Sequence, residues 1–250
     1  MHPQLLHFGR LVLPTFGVLA ALGLMAALSL SLRTAATLGL NPDRVWDAGL
    51  FMLLAAFVLS RLLLVAANLH TFLSYPLVML ALPSLTAMGV LLTVIATAIY
   101  LYLHRLPLLR VLDAWAPCAT LVWAFLALGH FAEGSDPGLI TAVRWSILSP
   151  TGLSHLHPVA LYAAAAAVAI TLVLLLRLSQ HHPPGQTAAL ALAAAGAAQF
   201  FITFYRQPSF DELPASFDLL DPIQWAAIGM VFIAGLILLL HPRKPVSNAL

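Results

Sequence analysis

The sequence predicts an all-α integral membrane protein with seven transmembrane helices, and three observations predict it. Charged residues are gathered into a few short clusters, the gaps between the clusters are long apolar runs, and the residues within the runs do not alternate between apolar and polar. The chain is 62% hydrophobic and 8% charged, with a mean hydropathy of +0.97. A soluble domain of this size has too little interior to bury so much apolar side chain. Backbone amides in hydrocarbon must be satisfied internally, which leaves helices or closed barrels, and continuous apolar runs are the helical case.

The runs lie at roughly 11–32, 48–67, 77–103, 114–130, 158–176, 187–205 and 223–240, and only the second carries a charge, Arg61. A hydrocarbon core of about 30 Å needs about 17–25 helical residues, so each run can cross. Spans and connections together use up residues 1–250 as a single membrane domain. The first run is too long for a signal-peptide core and is followed by further spans, so it is expected to be retained. Cys118, the single cysteine, lies inside the fourth run and reads as a small core residue rather than part of a disulfide or metal site.

Orientation follows from basic residues. Arg33, Arg44, Arg105, Arg110, Arg177, Arg243 and Lys244 fall on one side, against Arg10, Arg144 and Arg206 on the other. The positive-inside rule then places the C-terminus in the cytoplasm, and an odd number of spans places the N-terminus outside. These cations are membrane-edge anchors and imply no nucleic-acid partner. Asn41-Pro42-Asp43 reads as a helix start, and Pro83 with Gly89 marks a kink or partly unwound stretch in the third run, or else a tilted helix with a tolerated proline. The lack of a convincing internal repeat and the near absence of mid-membrane charge disfavour a small-solute transporter.

Four polar features remain at membrane depth or its rim. Arg61 lies about 10 Å below the outer surface, either meeting an anion such as a lipid phosphate or snorkelling to the interface. Arg206 stands in Phe204-Tyr205-Arg206-Gln207-Pro208, where its planar fork suits phosphate oxygens; an interfacial anchor within an aromatic belt is the alternative. His155-Leu156-His157-Pro158 opens the fifth span, and two histidines at that spacing share no helix face, so no metal site is assigned. The glycine-rich stretch from Gly129 to Gly138 holds His130 and Glu133, groups able to move a proton, or it is a solvated loop.

In this order along seven spans, these features resemble the prolipoprotein diacylglyceryl transferase family. Phe16-Gly17, Leu59-Ser60-Arg61, the spacing of Gly129, Phe131 and Gly138, His157-Pro158 with Leu161-Tyr162, Arg206-Gln207-Pro208 and Gln224 carry the resemblance across nearly the whole chain. It implies a multi-pass enzyme of the bacterial inner membrane that moves the diacylglyceryl group of phosphatidylglycerol onto the lipobox cysteine thiol of a prolipoprotein. Its partners would be phosphatidylglycerol, the prolipoprotein signal peptide and membrane lipids, with no cofactor. It also implies that Arg61, Arg206, Tyr162, Gln207, Gln224 and Gly129 hold the phosphatidylglycerol and that His130 or His157 supplies the base.

The chain departs from the family pattern at Ala127, where the family has arginine, at His130 and Glu133 in place of asparagine, and at Ser135 in place of glutamate. Thr86-Ala87-Met88 replaces a histidine-glycine-glycine, and Ala163 and Thr203 stand at acidic positions. Two expectations follow: a divergent transferase using His130 or His157, or a relative without catalysis that serves as a lipid-binding scaffold or subunit of a membrane complex. A cavity lined by both Arg61 and Arg206 is expected in either case.

Overall fold

A computed structural model of the 250-residue chain describes residues 4–8, 11–70, 86–149, 152–180, 182–207 and 220–240. It is mostly helical. The helices are α1 (Thr15–Thr37), α2 (Pro42–Ala67), α3 (Ala87–Leu103), α4 (Leu108–Glu133), α5 (Val159–Leu178), α6 (Gln186–Thr203) and α7 (Pro222–Leu240). Six are long and apolar enough to cross a membrane, and α3 is a shorter apolar helix of 17 residues. The chain is a multi-pass membrane protein.

α4 is the hub, packing against α1, α3, α5 and α6, while α2 lies on α1 and α3, and α7 on α6. Half of α4's most apolar stretch is buried, against 6% for α2, so α2 is a lipid-facing wall and α4 the interior. Lipid tails are as apolar as leucine, so helices associate through close packing of small side chains. The buried positions accordingly include Ala163, Ala164 and Ala167 on α5 and Ala188, Ala189 and Ala191 on α6. Thr120 and Thr171 join α4 to α5 with a 2.8 Å hydroxyl contact, while Thr171 also bonds its own helix at Ala167.

Helix ends are set by residues that satisfy orphan amides. Asn41 caps α2 by accepting from the Arg44 amide, with Pro42 in the first turn, and Thr86 caps α3 by accepting from Gly89. At α7, Asp221 accepts from the Ile223 amide and the Gln224 side-chain oxygen accepts from the Asp221 amide, a reciprocal capping box. The start of α6 is capped from another helix. Asp113 of α4, 2% exposed, accepts from the amides of Gly185 and Ala188.

Two small antiparallel hairpins qualify the all-α expectation. Strands β1 (Gln4–Phe8) and β2 (Leu11–Pro14) precede α1, so the first span begins at Thr15 rather than near residue 11. Pro14, extended at φ −69° and ψ 134°, ends the strand and starts the helix. Strands β3 (Ile147–Leu148) and β4 (His155–Leu156) pair at the same end of the bundle, where Phe16 at the start of α1 meets His130 at the end of α4. That hairpin continues through the Ile140–Leu156 and Gly138–Arg206 bridges, so segments near 206, 138–140, 155–156 and 147–148 lie side by side as a small β cap over α4, α5 and α6.

Other boundaries also move. α4 begins at Leu108, taking in Arg110 and Asp113, and runs to Glu133, so Gly129, His130 and Glu133 lie on its last turns instead of in a loop. It stops at Gly134, whose φ of 71° is the left-handed conformation that ends helices. Pro83 and residues 77–85 of the expected third run lie outside the described residues, as do Arg243 and Lys244.

Candidate functional site

A cavity of about 270 Å³ opens where α4, α5 and α6 meet the β cap, and its wall includes His130, Asp136 and Arg206. Each helix brings its residue for a local reason. His130 occupies the last turn of α4, one helical turn before the Gly134 stop. Arg206 lies just past the last turn of α6, with its amide bonded back to the Thr203 carbonyl. The connection after α4 is then zipped to it: the Leu139 amide donates to the Tyr205 carbonyl and the Gln207 amide to the Pro137 carbonyl. On its other side the same strand receives the His157 amide at the Leu139 carbonyl. Gly138 is required there, because a Cβ would strike the His157 carbonyl oxygen and the Val159 side chain.

Two consecutive residues reach the two candidate groups by different routes: the zipper brings Asp136 to Arg206, and the turn that ends α4, where the Ser135 amide donates to the His130 carbonyl, brings Ser135 to His130. Asp136 Oδ1 lies 2.6 Å from Arg206 Nε, with the side chains 21% and 33% exposed respectively. Ser135 Oγ lies 2.8 Å from His130 Nδ1, and the His130 ring also rests against Phe16 of α1 at 4.8 Å between centroids. The cavity therefore holds a guanidinium engaged at Nε by Asp136, and an imidazole oriented through one nitrogen. Asp136 was passed over in the sequence because its role depends on strand pairing between residues about 70 positions apart.

The remaining expected site residues are dispersed. Gly129 is buried in α4 beneath Phe16, where a Cβ would come within 2.8 Å of the ring. His157 lies outside the cavity wall, its Nδ1 3.2 Å from the Tyr162 hydroxyl, which accepts from Trp145 Nε1 at 2.7 Å. His157 and Tyr205 stack edge-on at 5.0 Å. Gln207 is exposed, and Gln224, 5% exposed, spends its side-chain oxygen on the α7 cap.

Arg61 does not line this cavity. It is half-buried near the end of α2, with its guanidinium carbon 5.5 Å from the Phe57 ring centroid, on a helix packed against α1 and α3. The expected pairing of Arg61 with Arg206 around one cavity is thus not what the described residues form. Helix assignment explains the difference: span two abuts α1 and α3, whereas Arg206 closes a space between α4, α5 and α6.

Comparison with known proteins shows the family. Residues 3–240 match the family described as prolipoprotein diacylglyceryl transferase. The chain belongs to that family. It is 29% identical over 217 residues to a phosphatidylglycerol-prolipoprotein diacylglyceryl transferase of Geobacter sulfurreducens, covering 82% of each chain. It is 26% identical to the enzyme of the same name from Thermosynechococcus vestitus, covering 97% of this chain and 94% of that one.

Of the departures expected from the sequence, Glu133 and Thr86-Ala87-Met88 do not line this cavity. Ala127, His130, Ser135, Ala163 and Thr203 all lie on the wall of this one cavity.

Proposed function

We propose that the chain transfers the diacylglyceryl group of phosphatidylglycerol to the lipobox cysteine thiol of prolipoproteins, in the α4–α5–α6 cavity. The observation that carries the reading is the placement of His130 and Arg206, from two different helices, on one cavity wall in a member of this family. Arg206 takes the phosphate: its Nε is held by Asp136, leaving its terminal nitrogens to donate to phosphate oxygens. His130 takes the thiol proton.

The chemistry sets a condition on that histidine. Thiolate is the nucleophile, so the ring must accept a proton at Nε2. It can do so when Nδ1 carries the hydrogen and donates to Ser135 Oγ. Sulfur then bonds to the glycerol carbon as the carbon–oxygen bond to phosphate breaks, and glycerol phosphate leaves with its charge balanced by Arg206. His130 ends the step protonated and passes that proton to the departing phosphate or to water.

Residues 1–250 would act as one membrane domain, with the β cap on the outer face of the bacterial inner membrane. Arg33, Arg44, Arg105, Arg110 and Arg177, at the other helix ends, would face the cytoplasm, with the C-terminus. Arg61 would meet phospholipid phosphate at the rim of α2, as a separate contact from Arg206. Tyr162 with His157, together with Gln207, would shape the entrance near the cap, and Gly129 and Gln224 would keep helix ends in place.

A second reading has its own support. Ala127, Ala163 and Thr203 line the cavity with uncharged side chains where the family resemblance implies charged ones, as expected of a relative that binds lipid within a membrane complex without turnover. Complementation separates the two. Growth of a transferase-depleted strain restored by the native chain and not by Arg206→Ala supports the enzyme. Failure with normal membrane insertion supports the lipid-binding relative.

A further inference from the structure

Below the polar cavity lies an apolar groove of about 400 Å³, bounded by α4, α6 and α7 with Met52 of α2 at its side, and Trp123 lines both. Its wall runs from Trp123 down to Leu112 on α4, passes Ala191 and Ala188 on α6, and is closed on the far side by Met230 and Ile237 of α7. Eleven residues at helical rise make this about 16 Å, half the thickness of a hydrocarbon core. We infer that the groove holds one acyl chain of the phospholipid whose headgroup sits at Arg206, and that its floor at Leu112, Ala188 and Ile237 limits the chain length accepted. The inference rests on the transfer reading for the identity of the headgroup.

The dimensions choose the occupant. A volume of about 400 Å³ spread over about 16 Å gives a mean cross-section of about 25 Å². A helix with its side chains is about 10–12 Å across and needs about three times that, so a signal-peptide helix does not fit. A single hydrocarbon chain does. Alanines at 188 and 191 keep the groove open on the α6 side, where larger side chains would fill it. Because Trp123 lines both spaces, a chain lying in the groove has its upper end beside the polar cavity, on the side of the guanidinium.

Two measurements test this on the full-length protein in nanodiscs. In the first, the unaltered chain is irradiated with phosphatidylglycerol bearing a diazirine near an acyl terminus. Crosslinks mapped to the groove faces of α4, α6 and α7 are expected; crosslinks confined to the outer surfaces, or displacement of the label by a signal peptide, overturn the assignment. In the second, dimyristoyl and distearoyl phosphatidylglycerol compete for binding and for transfer. Ala191→Phe should shift the preference toward the shorter chain by roughly tenfold, the scale of excluding methylenes from an apolar site, and Leu112→Ala toward the longer. Chain-length selection in binding without transfer upholds the groove and counts against the transfer reading. Transfer with no chain-length response in either variant overturns the groove alone.

Discussion

The two ends of α6 each meet an aspartate, and the two aspartates do opposite things. At its start, Asp113 is 2% exposed and gives both carboxylate oxygens to backbone amides of Gly185 and Ala188, at 2.6 and 2.8 Å. At its end, Asp136 touches the Arg206 side chain through one oxygen, and both groups keep access to solvent. Backbone amides have nowhere else to turn, so the first pairing is permanent structure. The second joins two side chains at a cavity mouth, where a phosphate can compete for the same guanidinium. One end of the helix is fastened and the other is exchangeable.

That contrast breaks most readily at Asp113. Asp113→Ala leaves two buried amides unpaired at roughly 1–3 kcal/mol each, and the unfolding temperature in detergent should fall well below that of the native chain. An unchanged temperature would show that α6 is held from elsewhere. At the other end, His130→Gln should lower transfer by roughly 10²–10⁴-fold, the range of a lost general base, while phosphatidylglycerol still copurifies. Unaltered transfer would remove His130 as the base.

Arg206→Lys keeps the charge and loses the fork, so headgroup affinity should drop by about 1.5–3 kcal/mol, measured by lipid titration. The smallest effect belongs to Asp136→Asn. A partly exposed ion pair contributes about 0–1 kcal/mol to stability, so unfolding should barely change. Headgroup binding should tighten slightly as the phosphate loses its competitor; weaker binding would mean that Asp136 aims Arg206 and is not displaced.

Six of the spans were legible because hydrocarbon imposes one demand, an unbroken apolar helix, that composition alone reports. Asn41 and Pro42 marked the α2 start correctly because capping is local. The ends of α1 and α4 were not legible in the same way. β2 is as apolar as the helix it precedes, and Arg110 and Asp113 interrupt the apolar pattern although they are helical, Asp113 because its charge is bonded to the start of another helix.

The site divides along the same line. His130 and Arg206 were found in the sequence because each carries unusual chemistry for its depth. Asp136 was missed as a partner because only the strand pairing of 137–139 with 205–207 brings it to Arg206, whereas Ser135 reaches His130 locally, through the turn that ends α4. The pairing of Arg61 with Arg206 assumed that two arginines near one face share a cavity; helix neighbours decide that, and nothing in the spacing encodes them.

The central claim is that the cavity under the β cap performs chemistry and does not merely bind. Purified native chain, reconstituted with phosphatidylglycerol and a lipobox peptide, tests it directly by peptide mass and release of glycerol phosphate. The account predicts a peptide heavier by one diacylglyceryl group, with glycerol phosphate released in equal amount and both signals lost in His130→Gln. Peptide of unchanged mass, from protein shown to carry bound phosphatidylglycerol, would contradict it.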